Sequence, residues 1–415
     1  MRMLKLEIKR VLKTRLTLIL LLVSLLLSVV LAYLPTTFTY SSYTDEAGRE
    51  VGLTGLASIR YEKDIQSDTA GAVTPDKVRQ AVEAYQACLK EYGVENSYEL
   101  PDGVYAERIT PFAPLLSGVK EAFADPDTGM APTIMEIAPE SVDGYYAACD
   151  ARISSLMKME QKGHPAAQAA GIEMFNKVKK PFLLYPGSNS NALDYQVMLS
   201  FLIMLFCTVI AAPVFTSDYQ SGADDILRCT RHGRARLGAS RVVSALLICG
   251  ISFSLCAAVY ITVSNCLFGW ECTKTSIQMI YSIVTLAAMD VGGLQGFVAA
   301  GSLLSLLAMV SLSLFISAKA KNNVVSLSLA LMFCILPVVV NLVVPGELGV
   351  WLRCMLPSAG ASLQSSVLYA ITEFEFLNIG GFAAWTPYAI ITLAAIEIPL
   401  FAGLAIHSYC HKANA

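Results

Sequence analysis

Charged residues are scarce in this sequence. Lys, Arg, Asp and Glu make up only 15% of the 415 residues, whereas 55% are hydrophobic and the mean hydropathy is +0.54. That composition is too apolar for a soluble globular chain of this size. It therefore excludes an ordinary soluble protein and predicts an all-α polytopic membrane protein, for which no nucleic-acid partner is expected.

The sequence also lacks the short motifs of common catalytic and nucleotide sites. It has no GxxxxGK[ST] loop, no H-E-x-x-H, no G-x-S-x-G and, among 11 cysteines, no C-x-x-C pair. We therefore predict a non-enzymatic chain without a metal or cofactor of its own, and any ATP-driven step would need an ATPase on another chain. His407 and His411 fit interfacial, capping roles better than metal ligation.

Six apolar runs are each long enough to cross a hydrocarbon core about 30 Å thick. They occupy residues 16–34, 197–214, 242–268, 296–316, 324–344 and 388–406. Basic residues precede the first run, as in a secretory signal, but the run is longer than a signal core and no A-x-A pattern follows it. It is therefore predicted to remain as the first of six transmembrane helices.

In the short segments that flank these runs, basic residues lie almost entirely on one side. Six occur in residues 1–15 and five in the loop 215–241, whereas the segments 269–295 and 345–387 hold only Lys274 and Arg353. The positive-inside rule then places both termini and the loop in the cytoplasm. The expected location is a plasma membrane, in a bacterial cell.

The runs divide the chain into four parts. They are a cytoplasmic amphipathic N-terminal helix (1–15), the first span (16–34), an extracellular domain (35–192), and a five-span membrane domain (193–415) that contains a cytoplasmic loop at 215–241. The extracellular domain carries 22 acidic and 14 basic residues, a net charge of −8. That excess of acid fits a compartment different from that of the basic loop.

The inserted segment 35–192 is predicted to be mainly helical. Thr74 is a suitable N-cap, with Pro75 as the first helical residue and Gly93 as the stop, and further helices are expected over 141–161 and 165–180. A disulfide between Cys88 and Cys149 remains open. Two short apolar segments, 279–289 and 350–369, are predicted to form external re-entrant or interfacial helices.

Glu397 lies near the middle of the last run, beside Pro399. A carboxylate at that depth opposes insertion by about 3 kcal/mol, which nine Leu, Ile and Phe residues of the run offset at roughly 0.5 kcal/mol each. It is predicted to face the bundle interior or a water-filled path, and two roles stay open. One is a substrate or proton contact. The alternative is a structural hydrogen bond made by the protonated acid.

The loop after the second run has an ordered pattern, FTSDYQSGADDILRCTRHGRARLGASRVV over residues 215–243. An acidic residue follows the span, then come a glycine, a paired Ile-Leu and several arginines. With LFISAKAKNNVVSLSLALMF at 314–333, this order resembles that of permease subunits of type-2 ABC exporters, in the branch with a large extracellular domain after the first span. Asp218 stands where Glu is commoner in that family.

The resemblance implies a half-transporter. Its permease would dimerise with a second copy or a paralogue in the lipid bilayer and bind separate ATPase subunits, which would hold ATP and Mg. A short coupling helix within the loop would enter the ATPase. The residues implied for that contact are Asp218, Gly222, Ile226, Leu227, Arg228, Arg231 and Arg234.

Two other functions stay open. A secondary transporter would need no ATPase but is expected to show paired intramembrane acids or inverted repeats, whereas this sequence has the single acid Glu397 and no repeat. A membrane-anchored sensor or surface enzyme would act through the extracellular domain, where the sequence shows no catalytic constellation. The cargo is not encoded in any recognisable motif.

Overall fold

The computed structural model describes residues 2–45, 49–187, 189–229 and 233–411. In chain order the helices are α1 (Arg2–Leu12), α2 (Arg15–Tyr33), α3 (Leu56–Ile65), α4 (Pro75–Tyr92), α5 (Asp102–Arg108), α6 (Ala113–Ala122), α7 (Tyr145–Glu160), α8 (Pro165–Asn176), α9 (Ser190–Ala211), α10 (Pro213–Ser221), α11 (Ala223–Arg228), α12 (Ala235–Phe268), α13 (Val291–Lys319), α14 (Asn323–Val343), α15 (Glu347–Cys354), α16 (Val367–Thr372) and α17 (Thr386–Cys410). The strands are β1 (Tyr40–Thr44), β2 (Glu50–Thr54), β3 (Gly71–Ala72), β4 (Leu183–Leu184), β5 (Phe376–Ile379) and β6 (Phe382–Trp385), which form three antiparallel pairs.

Helices dominate the structure, and six of them are long and apolar enough to cross a membrane. These six, α2, α9, α12, α13, α14 and α17, coincide with the six apolar runs, as expected of a membrane protein. The helix α12 begins seven residues before its apolar run. Its 34 residues span about 50 Å at 1.5 Å per residue, more than a hydrocarbon core, so part of it projects beyond the apolar layer.

The helix α13 lies in the middle of the bundle. It packs against α9, α12, α14 and α17, and small hydroxyl residues along it, such as Ser302, Ser305 and Ser313, are buried. Small residues let helix backbones approach closely, which is how membrane helices gain packing energy without a hydrophobic driving force. The helices α2, α14 and α17 keep most of their apolar surface exposed, as expected of faces that meet lipid or another subunit.

The described residues between α2 and α9 are mainly helical, and we call this segment, residues 34–189, the inserted domain. Its helix α4 confirms the predicted ends: Thr74 Oγ1 accepts a hydrogen bond from Lys77 N at 3.4 Å, Pro75 opens the helix, and Gly93 ends it at φ +65°. The predicted helix 141–161 begins with a 3₁₀ segment and continues as α7. The predicted helix 165–180 is α8, which stops earlier, at Asn176.

The core of the inserted domain continues into the connections between the membrane helices. Val82, Cys149 and Phe175 belong to one hydrophobic cluster with Ile283 and Leu368. Most of the segment 279–289 has no helix, so the predicted short helix there is wrong; its apolar side chains fill this shared core instead. The segment 350–369 does contain short helices, namely the end of α15 and the start of α16.

Cys88 and Cys149 are both free thiols, and both are buried in this shared core. Burial raises the pKa of the Cys149 thiol to about 12, and it also raises the pKa of Cys88. Both therefore behave as small apolar side chains.

Candidate functional site

The helices α10 and α11 follow the second of the six long helices and form an elbow, at an end of the bundle that we call the loop end. Pro213 starts α10 directly after α9, and Gly222 separates α10 from α11 with a φ of +69°. Only glycine adopts that left-handed conformation without steric cost. The short helix expected near residues 222–231 is therefore present as α11.

The elbow is attached to the junction of α13 and α14. Ser317 Oγ accepts hydrogen bonds from Phe215 N at 3.1 Å and Thr216 N at 3.3 Å, which satisfies two N–H groups in the first turn of α10. The Thr216 hydroxyl also contacts Asn323 Oδ1, and Tyr219 donates to Ala318 O at 3.3 Å. The two sequence segments that carry the family resemblance are thus in direct contact.

Asp218 lies in an ion cluster inside the elbow. Its carboxylate is 3.2 Å from Arg10 Nη1 and pairs closely with Arg241, whose side chain is only 1% exposed. Glu7 completes the cluster, with its Oε2 at 3.0 Å from Arg10 Nε and 3.9 Å from Arg241 Nε. Two acids face two bases, so the cluster is formally neutral, as buried charges require.

Aromatic rings close the cluster around Arg241. The guanidinium carbon lies 5.7 Å from the Phe215 ring centre and 5.5 Å from that of Tyr409, within cation–π range. Tyr409 in turn donates to Gly233 O at 3.2 Å. The cluster therefore connects α1, α10, α12 and α17 at one point.

The apolar face of α1 packs against the bundle. Val11 is buried with Ile210 of α9 and Ile248 of α12, and Ile8 and Leu12 are packed beside them. This face of the helix therefore covers two of the six long helices. Leu6 is 66% exposed.

Ile226 and Leu227, predicted to act as a pair, have different environments. The Ile226 side chain is 75% exposed on α11, whereas Leu227 is half-buried. Arg234 is exposed and precedes α12. Arg231 and the side chain of Arg228 lie outside the described residues.

Glu397 lies in α17 on the stripe that includes buried Ala394 and Ala405, and its side chain is half-buried. Among the described residues no hydrogen bond or ion pair to its carboxylate is seen. The predicted structural hydrogen bond is therefore not found there, and the predicted substrate or proton contact stays a prediction.

Sequence reasoning missed Glu7 and Arg241. Glu7 is the only acidic residue before Asp45, and Arg241 directly precedes the third apolar run. Glu7 is a single acid among basic residues, and Arg241 is a base at the edge of an apolar run. Both positions are signals by which a search for buried ion pairs could have found these residues.

No protein-family model matches this chain, and no curated protein matches it.

Proposed function

We propose that this chain is the membrane-spanning permease subunit of an ATP-driven exporter of the type-2 ABC class. Three features support the proposal: six helices suited to crossing a membrane, a sequence without a phosphate-binding loop, and an elbow between the second and third of those helices. ATP and Mg would then bind to a separate ATPase subunit.

The observation that carries the proposal is the position of Ile226. Single exposed aliphatic residues are common on protein surfaces, so exposure alone says little. Here, however, the residue projects from a short helix next to α10, which is anchored by Ser317 and by the Asp218 cluster. A push on α11 would therefore be transmitted through packed helices rather than absorbed by a loose loop.

In this proposal the ATPase receives α11 as a coupling helix. Ile226 would enter an apolar groove, with Leu227 supporting it from behind, and Arg234 would meet an acidic rim. The resemblance implies that Arg228 and Arg231 would contact the same acidic rim of the ATPase. Gly222 would set the angle between α10 and α11. Asp218 would act inside the elbow, where it positions α10.

The remaining arrangement follows from the basic residues and from the exposed helices. The loop end and both termini would face the cytoplasm, and the inserted domain would lie outside a bacterial plasma membrane. The exposed faces of α2, α14 and α17 would be shared between lipid and a second permease copy or paralogue. The transport path would form at that interface, with Glu397 as a candidate polar contact.

Photo-crosslinking in cells tests the proposal. A benzophenone amino acid at Ile226 is expected to form an adduct with an ABC ATPase of the source cell when the two are expressed together. The matched control is Val324, which is 71% exposed in the first turn of α14, near the elbow. Absence of an ATPase adduct at Ile226, or equal adducts at both positions, would count against the exporter.

A further inference from the structure

A groove of about 640 Å³ lies on the surface of the bundle between α12 and α13. Residues 243–255 of α12 form one wall, and Leu303 and Leu307 of α13 form the other. The lining is apolar except for Ser254, whose hydroxyl donates to Gly250 O at 2.9 Å. We call this the lateral groove. A ligand that fills it must be apolar over the same length.

Gly250 keeps the lateral groove open. It lines the groove from α12, and a β-carbon at this position would lie 3.4 Å from Leu307 Cδ2 on the opposite wall. A longer side chain would therefore extend into the space between the two helices. The neighbouring Leu247 and Ile251 are exposed along the same wall, so the groove is open toward the lipid.

The face of α12 that lines the lateral groove also carries a basic residue at the loop end. At about 3.6 residues per turn, Arg236, Ser240, Val243, Leu247 and Ser254 lie on one stripe of the helix. Arg236 is exposed, and no ion pair to it is seen among the described residues. The stripe is thus basic at the loop end and apolar farther along.

The lateral groove has the length of one membrane leaflet. From Val243 to Leu255 the helix α12 rises by about 18 Å, at 1.5 Å per residue. Half of a hydrocarbon core about 30 Å thick measures about 15 Å. Arg236 lies about 10 Å closer to the loop end than Val243, where lipid headgroups are expected.

The acids of the loop end argue against a second copy of this chain as the occupant. A neighbouring copy would have to offer Arg236 an acid, because a charge that is covered without a partner is costly. Among the described side chains of the loop end, Glu7 and Asp218 belong to the buried ion cluster, and Asp224 is only 7% exposed. A lipid with a negative headgroup supplies both the charge and an apolar chain.

We propose that the lateral groove binds a phospholipid with a net negative headgroup: one acyl chain lies between α12 and α13, and the headgroup pairs with Arg236. The lipid belongs to the leaflet at the loop end. The apolar chain contributes through each methylene group that it buries, and the basic residue selects the headgroup charge. The site requires that α12 and α13 cross the membrane, but it does not require an exporter.

Native mass spectrometry of the purified full chain in detergent measures the binding. The chain is titrated with a phosphatidylglycerol and, separately, with a phosphatidylcholine that has the same acyl chains. Phosphatidylglycerol should form the first adduct with about fivefold higher affinity, since one basic residue near the surface favours an anionic lipid by about that factor. Equal affinity for the two lipids would overturn the proposal.

Two variants separate the contact with the acyl chain from the contact with the headgroup. Gly250→Leu should weaken phosphatidylglycerol binding by at least about tenfold, because its side chain displaces more than one methylene group. Arg236→Gln should weaken it about fivefold and remove the preference over phosphatidylcholine.

Each variant has a matched control at an exposed position. Gly403→Leu on α17 adds a side chain where a β-carbon meets no neighbour within 4 Å, and Lys321→Gln removes a charge from the turn before α14. Both controls should bind as the wild type does. Unchanged binding in Gly250→Leu or Arg236→Gln, or an equal loss in its control, would overturn the proposal.

A lipid photolabel tests the site in the wild-type chain. A phosphatidylglycerol with a diazirine in one acyl chain is added to phosphatidylcholine nanodiscs that hold the chain, and the labelled peptides are identified. Excess unlabelled phosphatidylglycerol should reduce labelling of residues 243–255 much more than labelling of the exposed Ile396 and Leu400 on α17. Equal competition at the two places would contradict a specific site.

The mass spectra also report how many chains are associated. If Gly250→Leu dissociates a dimer while the lipid adducts stay as in the wild type, a second copy occupies the lateral groove and the proposal is wrong. None of these measurements needs an ATPase or transport. Their outcome is thus independent of whether the chain is an exporter permease.

Discussion

Arg241 is the residue on which the loop end depends most. Its guanidinium is almost fully buried, and its Nε and Nη1 groups have no hydrogen-bond partner among the described residues. Its charge is compensated mainly by Asp218, with Glu7 slightly farther away. A buried charge without its partner is costly, so the two residues should be energetically coupled.

Replacing Arg241 by Gln is expected to destabilise the folded chain by roughly 3–5 kcal/mol, because Asp218 and Glu7 would then share only Arg10. The double variant Arg241→Gln/Asp218→Asn should recover much of this loss. Thermal unfolding of the detergent-solubilised protein measures both, with Arg236→Gln as a control for an exposed arginine on the same helix. A double variant no more stable than Arg241→Gln would show that the pair is not coupled.

At the scale of elements, the elbow depends on a contact between distant segments. Ser317 of α13 satisfies the N–H groups of Phe215 and Thr216, 102 and 101 residues away along the chain. A hydroxyl that accepts from two backbone donors contributes about 1–2 kcal/mol, since both donors would otherwise be buried without a partner. The orientation of α10 should therefore respond to the loss of this one atom.

Ser317→Ala is expected to speed amide hydrogen exchange in the first turn of α10 about tenfold while leaving α14 unchanged. Ser313→Ala is the matched control, because the one hydrogen bond of its hydroxyl seen among the described residues is to Met309 O of its own helix, at 2.8 Å. Mass spectrometry of the corresponding peptides measures the exchange. Equal exchange in the two variants would mean that Ser317 does not hold the elbow.

The helix ends show what a single sequence can predict. The ends of α4 were predictable because Thr74, Pro75 and Gly93 act on their own neighbours in the chain. The short helices α3, α5 and α6 were missed, since they have few capping signals and depend on packing against distant residues. In the same way, Asp218 could be singled out by its position after a span. Its ion-pair partner Arg10, 208 residues away along the chain, could not be predicted.

At the scale of the molecule, the inserted domain and the membrane domain share one core. Glu121 of α6 accepts a hydrogen bond from Ile283 N at 2.9 Å, and Ser276 N donates to Leu183 O at 2.9 Å. Residues 35–192 are predicted to be a separate domain because their charge and hydropathy differ from those of the spans. Composition predicts the boundary of such a segment but not the surface on which it rests.

In the proposed function, α11 binds an ATPase through its exposed residue Ile226. The most direct measurement is the affinity of the purified chain for the ABC ATPase captured by the Ile226 crosslink, with and without Ile226→Asp. A charge forced into an apolar groove should weaken binding by at least about tenfold, that is by about 1.4 kcal/mol or more, whereas Val324→Asp should bind as the wild type does. Wild-type affinity in the Ile226→Asp variant would contradict the claim.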